Sequence, residues 1–227
     1  SVEPGPVMFL DYETDEYEID ERTRAVVKGL DIEMPDELPI YYRRCSRPFA
    51  DEVDGIQATI IEKKVQVVVI DSMVGACGGD MEGAGEVNAY FAALRILNLT
   101  SLTIDHTNKE GRLFGSEYKF HRARSVFEAK KQQDTGSDYL DFGLYHRKMN
   151  NGKLLPPRGY HLEFGAETVV FTEKDVMKVP DFAAKAPLWQ RAKQLLAAHA
   201  LMPEALAKEL ATTEKILNAD LGRRKDD

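Results

Sequence analysis

Three short apolar runs in the first half of the chain, VMFL (7–10), VVVI (67–70) and LTI (102–104), each end on an aspartate, with amphipathic stretches of helical period between them. A continuous apolar run marks a strand covered on both faces, and strands separated by helices need parallel crossovers with helices laid on one sheet. The alternation therefore predicts an α/β fold with a mainly parallel sheet. DEYEIDERTRAVVKGL reads as the first helix, with Tyr17, Ile19, Thr23, Val26, Val27 and Leu30 inward and Gly29 near its C-terminal end. LPIYYRRC reads as a strand, and DEVDGIQATIIEKK as a helix with Val53, Ile56, Ile60 and Ile61 inward. A glycine-rich loop, GACGGDMEGAG (75–85), precedes a helix that carries Val87, Tyr90, Phe91, Leu94 and Leu97.

The pattern changes after residue 124. RSVFEAKKQ, DYLDFGLYHRKMN, YHLEFG and ETVVFT follow one another with turn signals such as DTGSD and NNGKLLPPRG between them, which predicts an antiparallel extension built from hairpins. Pro180 and Pro187 bracket a linker, and beyond it Leu188, Leu195, Leu196, Leu206, Leu210 and Leu217 fall at helical spacing. This predicts a core over 1–179 and a linker with a small helical, winged-helix-like segment over 180–227.

Composition narrows the class. The chain has 227 residues, 43% hydrophobic and 30% charged, with a net charge of −8, which is ordinary for a soluble globular protein. No run approaches the roughly 18 apolar residues of a membrane span, and the first residues are neither basic nor apolar, so a cytoplasmic protein without a membrane partner is expected. Cys45 and Cys77 lack the spacing of a zinc site or a disulfide framework. The acidic balance argues against coating nucleic acid non-specifically, though a local basic patch remains compatible with it.

In open α/β sheets ligands sit outside the carboxyl ends of the strands, which directs attention to Asp11 and Glu13, to Asp71, and to Asp105 with His106. A buried strand ending in Asp beside Ser suits a metal-binding acid, and Glu13 on a neighbouring strand suits a general base for water. The bland readings are a turn-capping role for Asp71 and a solvated acidic face around Glu13, which has Asp15, Glu16, Glu18, Asp20 and Glu21 nearby.

Taken together, FLDYETD, VVVIDSMVGACGGD, LTIDHTNKE with LFGSEYKFHRARSVFEAKK, and GLYHRKMNNGK resemble the RecA-like ATPase domain of the AAA-type replicative helicase and loader family. That family is related to the RepA and DnaB hexameric helicases and is often phage or plasmid encoded. The resemblance covers roughly residues 6–171 and implies a RecA-like three-layer sandwich hydrolysing ATP with Mg²⁺ at the interfaces of a homo-oligomeric ring. It implies that Glu13 is the catalytic glutamate, that Asp71 is the Walker-B acid holding Mg²⁺ through water, and that His106 with Thr107 senses the γ-phosphate or DNA. Arg147 and Lys148 are the candidates for the finger that reaches a neighbouring subunit's nucleotide, although Asn150 stands where the family's arginine falls. Lys119, Arg122 and Arg124 are candidates for contact with DNA or a subunit interface. Single-stranded or duplex DNA is the expected partner.

One departure is large. The chain contains no G-x-x-x-x-G-K-[ST], its Gly152-Lys153 pair being followed by Leu154 in a turn. In the family this loop precedes the FLDYE strand, where this chain begins, so an N-terminal truncation is expected, with an exposed sheet edge and no tight ATP binding by this chain alone. Two rival readings remain: a non-hydrolysing RecA-like scaffold that binds DNA or a partner helicase, and a metal-dependent nuclease built on Glu13, Asp71 and Asp105. ALMPEALAKELATTEKILNADLGRR further resembles the first part of a winged helix-turn-helix, with a recognition-like helix over 213–221 and Arg223, Arg224 and Lys225 beyond it.

Overall fold

A computed structural model describes residues 5–35, 37–78, 84–108, 118–183 and 186–222. The chain divides into two compact units, Ser1–Val126 and Phe127–Asp227.

The first unit is built on four parallel strands, β1 (Val7–Asp11), β2 (Ile40–Arg44), β3 (Val67–Asp71) and β4 (Thr100–Ile104), in the order β2-β1-β3-β4. Between them run α1 (Glu16–Gly29), α2 (Phe49–Lys63), the one-turn α3 (Met73–Cys77) and α4 (Ala84–Leu97). Side chains alternate across a strand, so Met8 and Leu10 of β1 share a face with Val68 and Ile70 of β3. All four are buried, and with Phe49 and Ile56 of α2 and Val87 and Tyr90 of α4 they form the core. Val7, Phe9, Val67 and Val69 on the other face are half-buried. β4 is an outer strand of this sheet and leaves Leu102 and Ile104 exposed by 56% and 39%.

Some sequence expectations shift at the level of faces. On α2, Phe49, Val53, Ile56 and Ile60 form the buried stripe, which carries Ile61 out to 71% exposure. No residue of α1 is buried, and Tyr17 is exposed, its hydroxyl donating to Glu21 at 2.8 Å. The expected glycine-rich loop is partly helical, because Met73–Cys77 form α3 before Gly78 ends it in the left-handed region, at φ 67°. Residues 79–83 of that loop, including Met81, and Arg223, Arg224 and Lys225 lie outside the described residues.

A short α5 (Tyr118–Arg122) follows β4. The second unit takes the hairpins, β5 (Ser125–Gln132), β6 (Tyr139–Met149), β7 (Arg158–Phe164) and β8 (Val169–Lys174), into an antiparallel sheet of their own in sequential order. A short α6 (Pro180–Ala183) leads to α7 (Leu188–Ala198), α8 (Pro203–Glu209) and α9 (Glu214–Gly222), which share a small core of Ala192, Leu206, Ala207, Leu210 and Leu217. Among the described residues no helix is long and apolar enough to cross a membrane.

Candidate functional site

The strands β1, β3 and β4 end level. Asp11 lies in register with Asp71, and Asp71 with Ile104, so the residues just past these ends meet at the carboxyl edge of the parallel sheet.

Asp11 turns out to be internal. Its carboxylate accepts the backbone N–H groups of Glu13 and Thr14, each at 2.9 Å, the Thr14 hydroxyl at 2.7 Å and the Tyr42 hydroxyl at 3.0 Å. Burial pushes its pKa up, but these four donors outweigh burial and hold the carboxyl below its ordinary range. On the donor side, burial and then the bond to Asp11 push the Tyr42 hydroxyl up to about 12. The consequence is a fixed turn over residues 11–14, with Glu13 as the acid presented at its rim.

Glu13 is gripped by residues just past the ends of β3 and β4. Its Oε1 accepts the Ser72 hydroxyl and lies 2.9 Å from Nε2 of His106. The bond from Ser72, then that from His106, lower the Glu13 pKa, and the bond to Glu13 raises His106 above its usual value. Among the described residues Oε2 of Glu13 makes no hydrogen bond, which leaves an ionised oxygen able to take a proton from water. Beside it, Asp71 is raised, first by burial and then by the negative charges of Glu13 and Asp11. Its backbone carbonyl accepts Tyr12 N–H at 2.6 Å, and the Asp71-Ser72 peptide bond is cis.

Asp105 accepts the backbone N–H of His106 on Oδ1 at 3.0 Å, and its carboxylate is also committed to a lysine. The Lys119 ammonium donates to both of its oxygens, at 3.2 and 2.9 Å, and Lys119 is only 3% exposed. Lys119, expected among the DNA-facing cations, is therefore an internal ion-pair partner that ties α5 to the end of β4. Arg122 is exposed and donates to Asn88 at 2.8 Å, and Arg124 is exposed. In the second unit Arg147 pairs with Glu128 at 2.6 Å and lies over the Tyr145 ring at 4.9 Å, while Lys148 is half-buried.

Among the described residues Asp71 is the acid whose surroundings suit a divalent cation. Among the described residues no three His, Cys, Asp or Glu side chains stand close enough to hold an ion unaided, which does not fit the three-acid nuclease reading with Asp105 committed to Lys119. Mg²⁺ commonly takes one or two carboxylates and fills its other positions with water and phosphate. Asp71 suits that requirement: burial and then the charges of Glu13 and Asp11 disfavour its ionised form, and a cation there offsets both.

Sequence reasoning placed Glu13, Asp71 and His106 at strand ends, and the structure brings them to one edge. It missed Tyr42 and Thr14, whose hydroxyls lock Asp11, since only folding sets Tyr42 of β2 beside β1. The hydroxyl of Ser72 stood in the IDS signature, but its role as donor to Glu13 came only from the structure.

This is a RecA-like α/β fold. Residues 1–112, just under half of the chain, match the profile of the family described as "AAA domain". Among solved structures the chain is similar to a KaiC-like protein from the hyperthermophilic archaeon Pyrococcus horikoshii, at 14% identity and a TM-score of 0.50, with 74% of this chain and 76% of that one covered. No curated protein matches the chain. The family match and the shared fold together support a P-loop ATPase class.

Proposed function

We propose that the chain carries the hydrolytic acids of an ATPase site of the replicative helicase and loader type, with Glu13 as the base that takes a proton from the attacking water. The observation that carries this reading is Glu13 itself, ionised and held at one oxygen by Ser72 and His106, with Asp71 beside it at the carboxyl edge of a parallel sheet. Asp71 holds Mg²⁺, which when bound neutralises phosphate charge. In this reading His106, which shares the Glu13 carboxylate, answers a change at the phosphates by releasing or tightening that acid. Ser72 fixes the carboxylate's rotamer. A phosphate-binding loop of the usual form is not among the 227 residues, so this chain supplies the water-activating and metal-holding part of the site only. In the same reading the active protein is a homo-oligomeric ring acting on DNA, with Arg147 or Lys148 reaching a neighbouring subunit's nucleotide and Arg122 and Arg124 at a DNA or subunit interface.

The test is Mg·ATP hydrolysis by the native gene product that contains these residues. Glu13→Gln is expected to lower kcat by about a hundredfold or more while nucleotide binding persists, the usual cost of removing a general base. An unchanged kcat removes Glu13 from that role. A wild-type product that binds DNA without hydrolysing ATP supports the scaffold reading.

A further inference from the structure

The three C-terminal helices take no part in the site above, and the join between two of them is specific. α8 ends in a Schellman motif: Ala211 is in the left-handed region at φ 52°, Thr212 N–H reaches the Ala207 carbonyl at 2.9 Å, and Ala211 N–H reaches Lys208 at 3.1 Å. The chain then re-enters helix at once. Thr213 accepts Leu217 N–H on its carbonyl at 2.9 Å and Ile216 N–H on its hydroxyl at 3.4 Å, capping α9. Two helices joined by so tight a turn, with a small residue (Ala207, 3% exposed) in their shared core, fit the connection of a helix-turn-helix. α7 braces it from the third side through Ala192, and Arg191 donates to the Leu210 carbonyl at 3.4 Å at the turn.

The outward side of α9 has the matching chemistry. With Leu217 buried and Leu221 packed on the same core, helical spacing puts Lys215, Asn218, Ala219 and Gly222 on one stripe, and all four are exposed. Asn is the side chain that pairs bidentately with adenine in the major groove, Lys donates to guanine, and an alanine methyl meets the thymine methyl. A stripe of small and polar residues also lets the helix backbone approach the groove floor, which a bulky face prevents. Charge favours the same partner. Residues 188–227 hold seven Lys and Arg against six acids, in a chain whose totals are 30 against 38. Lys193, Lys208 and Lys215 are exposed, and among the described residues none has an acid within ion-pair distance.

We infer that α8 and α9 form a sequence-reading module for duplex DNA, with α9 in the major groove, Asn218 and Lys215 on base edges, and Lys193 and Lys208 serving backbone phosphates. This stands independently of nucleotide hydrolysis. A module of this kind holds the protein at a chosen site on duplex, a task different from gripping single strands.

The experiment is selection from a randomised duplex DNA pool by the full 227-residue chain without nucleotide, followed by fluorescence anisotropy on the selected duplex and a scrambled one. The expected result is a shared sequence motif, bound at least about tenfold tighter than the scrambled duplex. Asn218→Ala should lower that preference about tenfold, the scale of one bidentate base contact, with an unchanged helical circular dichroism spectrum because the side chain is exposed. Lys208→Ala should weaken selected and scrambled duplex alike and flatten the salt dependence. Retention of single strands only, no shared motif, or a preference that survives both Asn218→Ala and Lys215→Ala overturns the assignment.

Discussion

At the scale of single residues the site is a set of carboxylates treated differently by their surroundings. Asp11 is depressed by four donors and serves the turn, Glu13 is depressed by two donors and faces outward, and Asp71 is raised by burial and by the other two. The Glu13–His106 pair is ionic from a lower limit under the ordinary 4.5 of Glu to an upper limit above the ordinary 6.5 of His. The contribution of Glu13 is therefore lost as pH falls through its depressed value, and that of His106 as pH rises through its raised one. Both groups are well exposed, so the pair is worth no more than a surface ion pair, about 0–1 kcal/mol. In an NMR titration the His106 imidazole is expected to titrate above 6.5 and to fall back towards it in Glu13→Gln. A raised pKa on Asp71 carries the opposite sign: its ionised form destabilises the fold at neutral pH. Asp71→Asn should thus raise Tm without divalent cation and abolish the further rise that Mg²⁺ gives the unaltered protein. A lower Tm for Asp71→Asn, measured by calorimetry, would contradict this balance of charges.

At the scale of elements the helix α3 shows how packing supports the site. A Cβ added at Gly75 would stand 2.5 Å from Cβ of Tyr12, the residue between Asp11 and Glu13. Gly75→Ala must therefore push on the 11–14 turn, and a loss of about 1–3 kcal/mol in denaturant unfolding is expected, together with a His106 pKa nearer the ordinary value. From the sequence this glycine stood in a run that read as loop. The run's composition is that of a turn, and only the face of Tyr12 explains why one of its glycines sits within a helix. The β4 edge belongs to this scale too. An outer strand with exposed apolar side chains is a site for strand addition, so Leu102→Lys should lower concentration-dependent association in sedimentation velocity. α1 marks the limit of periodicity as a guide: its apolar residues do repeat at helical spacing, yet none is buried, because the pattern says which residues share a face and not whether anything covers that face.

At the scale of the whole chain two compact units each hold a core, one under the parallel sheet and one shared by the C-terminal helices, with a small third cluster around Tyr145 and Phe182. Calorimetric titration of this chain with Mg·ATP is expected to show no low-micromolar binding, since the backbone N–H cradle that carries phosphate affinity in this class is not among its residues. A low-micromolar Kd would assign that cradle to other residues of the chain. Much was legible beforehand for a physical reason. Strand and helix alternation, the acids at strand ends and the change to hairpins after residue 124 are local patterns, and local patterns follow from period and turn chemistry alone. The sequence by itself determined the α/β class and nominated Glu13, Asp71 and His106. Only the tertiary structure decided what those residues do to each other: which acid is clamped inside, which is left facing solvent, and that Lys119 answers Asp105 instead of a phosphate. These depend on distances between strands far apart in the chain, such as Tyr42 beside Asp11 and Ser72 beside Glu13, and charge and hydrogen bonding respond to distance, on which residue order is silent.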